Sequence, residues 1–73
     1  MEIQEKIAAR IKEIRTAQNL TQEAVAFRSD VDRTFMNYVE NGKRNITLKS
    51  LEKIVVQGLN TTLKDFFNNK LFN

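Results

Sequence analysis

Between Arg33 and Asn41 the chain sets out side chains able to read a nucleic-acid groove. At about 100° per residue, Arg33, Thr34, Asn37, Tyr38 and Asn41 fall on one arc of a helix, and Phe35, Met36 and Val39 fall on the opposite arc. An arginine offers a fork of donors that matches O6 and N7 of guanine. An asparagine meets adenine in a similar bidentate way, and a threonine methyl can touch the thymine methyl. Arg33, Thr34, Asn37 and Tyr38 are therefore the candidate base contacts. Many solvated helix faces look the same, so the weight of this reading comes from the frame around it.

That frame is a pair of short helices joined by a tight turn. Thr21 is a good N-cap, because its hydroxyl can accept from an orphan backbone N–H of the first turn. Gln22 to Arg28 then carry Ala24, Val25 and Phe27 around Ala26 as a small apolar face. Ser29-Asp30-Val31 breaks the pattern, and Asp32 is positioned to cap a second helix from Arg33 to about Glu40. Asn41-Gly42 ends it, since glycine readily takes the left-handed conformation that closes a helix.

The runs TQEAVAFRSDVDRTF and VENGKRNITLKSLEKI resemble the lambda-repressor-like helix-turn-helix family. Within it, the DRTF run, the Arg44-Asn45 pair and the KSLE helix start are closest to the controller proteins of restriction–modification systems. The resemblance covers about Ile7 to Phe67. It implies an all-α, five-helix domain that binds a palindromic operator in double-stranded DNA as a homodimer. It also implies that Arg15 pairs with Glu40 beneath the DNA-facing surface, and that the loop Lys43-Arg44-Asn45 grips the sugar–phosphate backbone. Gln22, at a helix N-terminus where anions are favoured, is expected on a phosphate; Asn41 and Lys49 complete the expected backbone contacts. Three departures bear on the operator: Ser29-Asp30 in the turn, Phe35 where the group has Tyr, and Asn37-Tyr38 where it has a small pair.

The other elements must hold this motif. Ile3, Ile7, Ile11 and Ile14 make one stripe of a helix from about Glu2 to Gln18, with Glu2, Lys6, Arg10, Lys12 and Glu13 expected in solvent. Thr47 caps a fourth helix with Leu48, Leu51, Ile54 and Val55 buried, ending near Leu59 and Asn60. Thr62 caps a last helix, about 62–72, bearing Leu63, Phe66, Phe67, Leu71 and Phe72. So small a monomer cannot bury all of these, and an exposed apolar patch marks an interface. These five residues, with Leu59 beside them, are the expected dimer contacts.

Composition bounds the rest. A chain of 73 residues is one domain, residues 1–73, and gains from association because it buries only about 60% of its unfolded surface. Without cysteine or histidine there is no disulfide, thiolate metal site or imidazole base, so no enzyme, metal, cofactor or small-molecule ligand is expected. The net charge of +3 permits nucleic acid without demanding it, although six of ten charges between Arg28 and Lys53 are basic. No apolar run approaches the roughly 20 residues that cross a bilayer, and the amphipathic start is not that of a signal peptide; a cytoplasmic protein is expected. A generic phage or plasmid repressor of the same fold, or an antitoxin-like protein-interaction module, are the alternatives.

Overall fold

Four residues in the left-handed conformation set the path of the chain: Asn19 (φ 59°), Asp30 (φ 55°), Gly42 (φ 70°) and Asn60 (φ 51°). Each directly follows the end of a helix. Three of the four are short polar residues, which tolerate this conformation better than other side chains. A computed structural model describes residues 1–73 as helices and turns without a strand. In chain order these are α1 (Ile3–Ala17), α2 (Gln22–Ser29), α3 (Arg33–Glu40), α4 (Leu48–Glu52) and α5 (Leu63–Phe67). A π-helical turn, Lys53–Gly58, continues α4, and a 3₁₀ turn, Lys70–Phe72, follows α5.

The N-termini of α2 to α5 are capped as the sequence suggests. Thr21, Thr47 and Thr62 accept from the N–H of Ala24, Ser50 and Asp65 at 3.0–3.1 Å, and Asp32 accepts from Thr34 at 2.9 Å. Such caps contribute typically about 1 kcal/mol each, which matters for helices too short to persist alone.

One core joins all five helices: Ile11 of α1, Val25 and Ala26 of α2, Met36 and Val39 of α3, Leu51 and its π-helical extension, and Phe66 of α5. Three apolar residues expected inside are not there. Ile3 and Leu48 stand at the first positions of their helices, outside the core, and Phe27 points away from it at 78% exposure. The inner face of α2 is completed by Ser29, whose fully buried hydroxyl donates to the carbonyl of Val25 at 2.7 Å. Ser29 thus ends α2 from inside the helix.

Two further departures have clear physical causes. The last helix is not continuous, because Asn69 is extended (φ −155°, ψ 147°) and its side chain caps Leu71 N at 3.0 Å. The final turn folds back onto α1, with Phe72 against the core. Arg10, expected in solvent, is instead mostly covered. Its Nε and Nη2 donate to the carbonyls of Phe66 and Asp65 at 2.8 and 2.9 Å, satisfying groups that the end of α5 leaves without partners. In the same way, Gln18 Nε2 and Arg28 Nη1 donate to Leu59 and Gly58 carbonyls at the end of the π-helical turn.

Gly58 is where α2 and that turn come closest. A Cβ there would lie 2.2 Å from Ser29 Oγ and 2.9 Å from Val25 Cγ1. Gly58→Ala should therefore destabilise by about 1–3 kcal/mol, as overpacking does, lowering the unfolding midpoint by several degrees for each kcal/mol. Ser29→Ala removes the nearest obstacle, so the double variant should lose less than the sum of the singles in thermal denaturation. Additive losses would show that Ser29 is not what excludes the methyl group.

Candidate nucleic-acid interface

α3 presents the surface expected of it. Met36 and Val39 are buried and Phe35 partly so, while Arg33, Thr34, Asn37, Tyr38 and Asn41 are all exposed. Asp32 and Asn41 cap its two ends. With Gln22 of α2, the residues Arg33, Thr34, Asn37 and Tyr38 line one shallow polar concavity. Four candidate base contacts and one candidate phosphate contact are thus brought together on one face.

Beneath this face lies a buried ion pair. Arg15 Nε and Nη2 of α1 donate to Glu40 Oε2 and Oε1 at 2.7 and 2.9 Å, and Arg15 Nη1 donates to the Leu20 carbonyl at 2.8 Å. Glu40 is only 2% exposed, so its charge depends on these partners. The pair ties α1 to the end of α3, and the Leu20 bond ties it to the turn that opens α2.

Hydrogen bonds run outward from the pair. Gln22 Nε2 donates to Glu40 Oε1, Asn37 Nδ2 to Gln22 Oε1, and Asn41 Nδ2 to Asn37 Oδ1, each at 3.2 Å. Nothing in the spacing of these residues announced that chain, because its links join side chains 18, 15 and 4 positions apart. Glu23, expected only as a favourable charge at a helix N-terminus, also reaches Arg33 Nη1 at 3.2 Å on the surface.

The basic loop divides. Lys43, Arg44 and Asn45 are exposed, and the Arg44 guanidinium carbon sits 5.3 Å from the centre of the Phe35 ring. This cation–π contact holds one cation beside the first turn of α3, and it needs only the aromatic ring at position 35. Lys49 lines a different hollow, with Leu48, Leu51, Glu52, Leu63 and Phe67.

That second hollow belongs to the apolar patch. Phe67 is 37% exposed and stacks edge-on against Phe66 and Phe72, with ring centres 5.0 and 4.9 Å away. Leu71 and Phe72 are partly buried beside it. Leu59 and Phe66 are fully buried within the chain, which removes both from any surface that a partner meets. Leu48 was not expected here. At 85% exposure it is the most exposed leucine of the patch, and its heptad-like place among buried neighbours hid it.

Comparison with known proteins agrees with this geometry. A family model described as helix-turn-helix matches residues 11–57. Control protein C.MunI of a Mycoplasma species is 40% identical over 68 residues, covering 92% of this chain and 90% of that protein. Control protein C.SmaI of Serratia marcescens is 38% identical over 63 residues, covering 86% and 74%. Among solved structures, the tetramer of the restriction–modification controller protein C.Esp1396I in complex with its natural 35-base-pair operator superposes with a TM-score of 0.85 at 38% identity, covering 92% of this chain and 88% of that one.

The ion pair is open to a direct test. Arg15→Met strands a buried carboxylate, and breaking such pairs typically costs about 3–5 kcal/mol, a large share of the total for a domain of this size. Glu40→Gln should cost less, since Arg15 keeps the Leu20 carbonyl and an amide oxygen. Arg15→Met with Glu40→Leu should recover much of the loss. Urea denaturation of the three variants checks the order, and equal losses for both single variants would contradict it.

Proposed function

This chain belongs to the helix-turn-helix family of controller proteins, and from that membership we propose that it is a sequence-specific, DNA-binding transcription regulator that governs restriction–modification genes as a homodimer on a palindromic operator. The observation that supports this best is the outer face of α3, where a guanidinium, a hydroxyl, an amide and a phenol stand exposed on a helix fixed from below. Arg33, Thr34, Asn37 and Tyr38 read base edges in the major groove. Gln22, Asn41, Lys43, Arg44 and Asn45 hold the phosphates, which fix register without carrying sequence information. Lys49 stands at the rim of the dimer patch. The domain is a single unit, residues 1–73, whose motif spans about 21–41, and no helix is long and apolar enough to cross a membrane. Its work lies in the cytoplasm, where its operator is.

One recognition helix touches too few base pairs to select an operator among genomic competitors. Two helices related by a two-fold axis enter successive major grooves about 34 Å apart and read a palindrome. Phe67, Leu63 and Leu48, lining one hollow, are the contacts that hold this axis, with Leu71 and Phe72 at its edge.

Selection of bound sequences from random duplexes tests the reading, and failure of the wild-type chain to enrich any motif overturns it. Arg33→Ala should cost about 1–3 kcal/mol on the operator, the worth of one bidentate guanine contact, with little change on random DNA. Lys43→Ala should instead weaken all sequences alike and reduce the log–log salt slope by about 0.9 per phosphate released. Phe67→Asp should halve the mass in sedimentation while circular dichroism remains helical. Phe66→Asp, by contrast, buries a charge at a site without exposure and should unfold the chain. A folded Phe67→Asp variant of unchanged mass would put the interface elsewhere.

A further inference from the structure

The hydrogen-bonded chain from Glu40 to Asn41 has a direction, and that direction is forced. A carboxylate is an acceptor only, whereas an amide has a donor end and an acceptor end. Glu40 Oε1 therefore requires Gln22 to turn its Nε2 inward, which leaves Gln22 Oε1 facing α3. An oxygen there requires Asn37 to offer Nδ2, so Asn37 Oδ1 must face Asn41, which donates in turn. Reversing any one amide would oppose two oxygens or two N–H groups. The assignment of N and O at Asn37, which an isolated exposed amide would leave free, is thus set by a buried carboxylate two links away.

Each amide in this chain keeps one N–H and one lone pair for an outside partner. Asn37 consequently shows the groove a donor on its Gln22 side and an acceptor on its Asn41 side. An adenine edge carries the N7 acceptor and the N6 donor in a fixed order, and exchanging A·T for T·A reverses that order across the groove. A freely turning amide accommodates both orders by rotating about its last side-chain bond. A fixed one accommodates one.

On the DNA-reading function proposed above, we propose that Gln22, oriented by Glu40, is a positioning residue that locks the Asn37 amide and so makes this chain distinguish A·T from T·A at the base pair Asn37 meets. Gln22 does this without touching the base.

The test compares base-pair preference among wild type, Gln22→Met and Asn37→Ala, by selection from random duplexes followed by competition between operator variants. Methionine keeps the length of the side chain and leaves the Arg15–Glu40 pair intact, and circular dichroism checks the fold. Asn37→Ala identifies the relevant base pair as the one whose preference collapses. At that pair the wild type should prefer one orientation by roughly 5- to 150-fold, the range of one bidentate contact. Gln22→Met should bring the two orientations to within about twofold of each other while both remain favoured over G·C. The preference at the pair read by Arg33 should be unchanged. If Gln22→Met weakens every sequence equally and keeps the A·T over T·A preference, Gln22 is a phosphate contact alone and the lock is rejected. It is rejected equally if all positions flatten together, or if Asn37→Ala alters no position. A wild-type chain that enriches no motif removes the DNA-reading function and the lock with it.

Discussion

The bidentate contact between Arg15 and Glu40 is the constraint on which the working surface depends. It crosses from α1 to the last residue of α3, in a place where Glu40 has almost no access to water. A carboxylate so enclosed must be neutralised or paired, and only one arrangement of the helices offers the guanidinium fork at 2.7 and 2.9 Å. Such a pair adds little net stability over an apolar substitute. What it does supply is register, since the two planar groups meet in one orientation, and the third arm of the arginine extends the same constraint to Leu20 at the threshold of α2.

From this anchor the polar and apolar surfaces are divided between opposite tasks. The outer arc of α3 is left without internal partners strong enough to satisfy it, apart from the amide chain and the exposed Glu23–Arg33 pair, so it retains donors and acceptors for an outside ligand. The patch formed by Leu48, Leu63 and Phe67 has no polar groups to satisfy and gains by leaving water. Phe67 is held for this by two edge-on aromatic neighbours, one of them wholly buried. An exposed ring braced in this way loses little freedom when a partner covers it, which lowers the cost of association.

Local chemistry was the legible part of this fold. Caps at Thr21, Asp32, Thr47 and Thr62, and the left-handed Asp30, Gly42 and Asn60, follow from residue type alone, and the polar and apolar arcs of α3 follow from its period. Errors arose where an apolar residue sat at the end of an element. Leu48 continues the spacing of Leu51 and Val55, but as the first residue of α4 it lies beyond the core that its period points to. Phe27 was counted inside because of its size, while the smaller Ser29 holds the inner place that the close approach of Gly58 requires. The break at Asn68-Asn69 depends on a side chain competing with the backbone for Leu71 N, a choice decided by the fold of the last turn onto α1. At the candidate site the residue types were readable, but their connections were not, because each amide link joins different helices or turns of a helix.

Arg10 shows how the two surfaces are kept in fixed relation. It stands five positions before Arg15 on α1, roughly 7.5 Å along the axis at the α-helical rise. Both arginines use the planar fork, one on the carbonyls of Asp65 and Phe66 at the end of α5, the other on the carboxylate at the end of α3. Lysine has a single point of charge and could not bridge two such acceptors at set angles. α1 thus acts as a ruler between the helix that meets bases and the segment that carries Phe67. In a dimer built on Phe67, the separation of the two recognition helices is the sum of rigid offsets within each chain. An error in the pose of α5 relative to α1 is doubled across the two-fold axis, whereas the groove spacing of DNA is fixed at about 34 Å. Two arginine forks on one helix are a direct physical means of keeping that offset small.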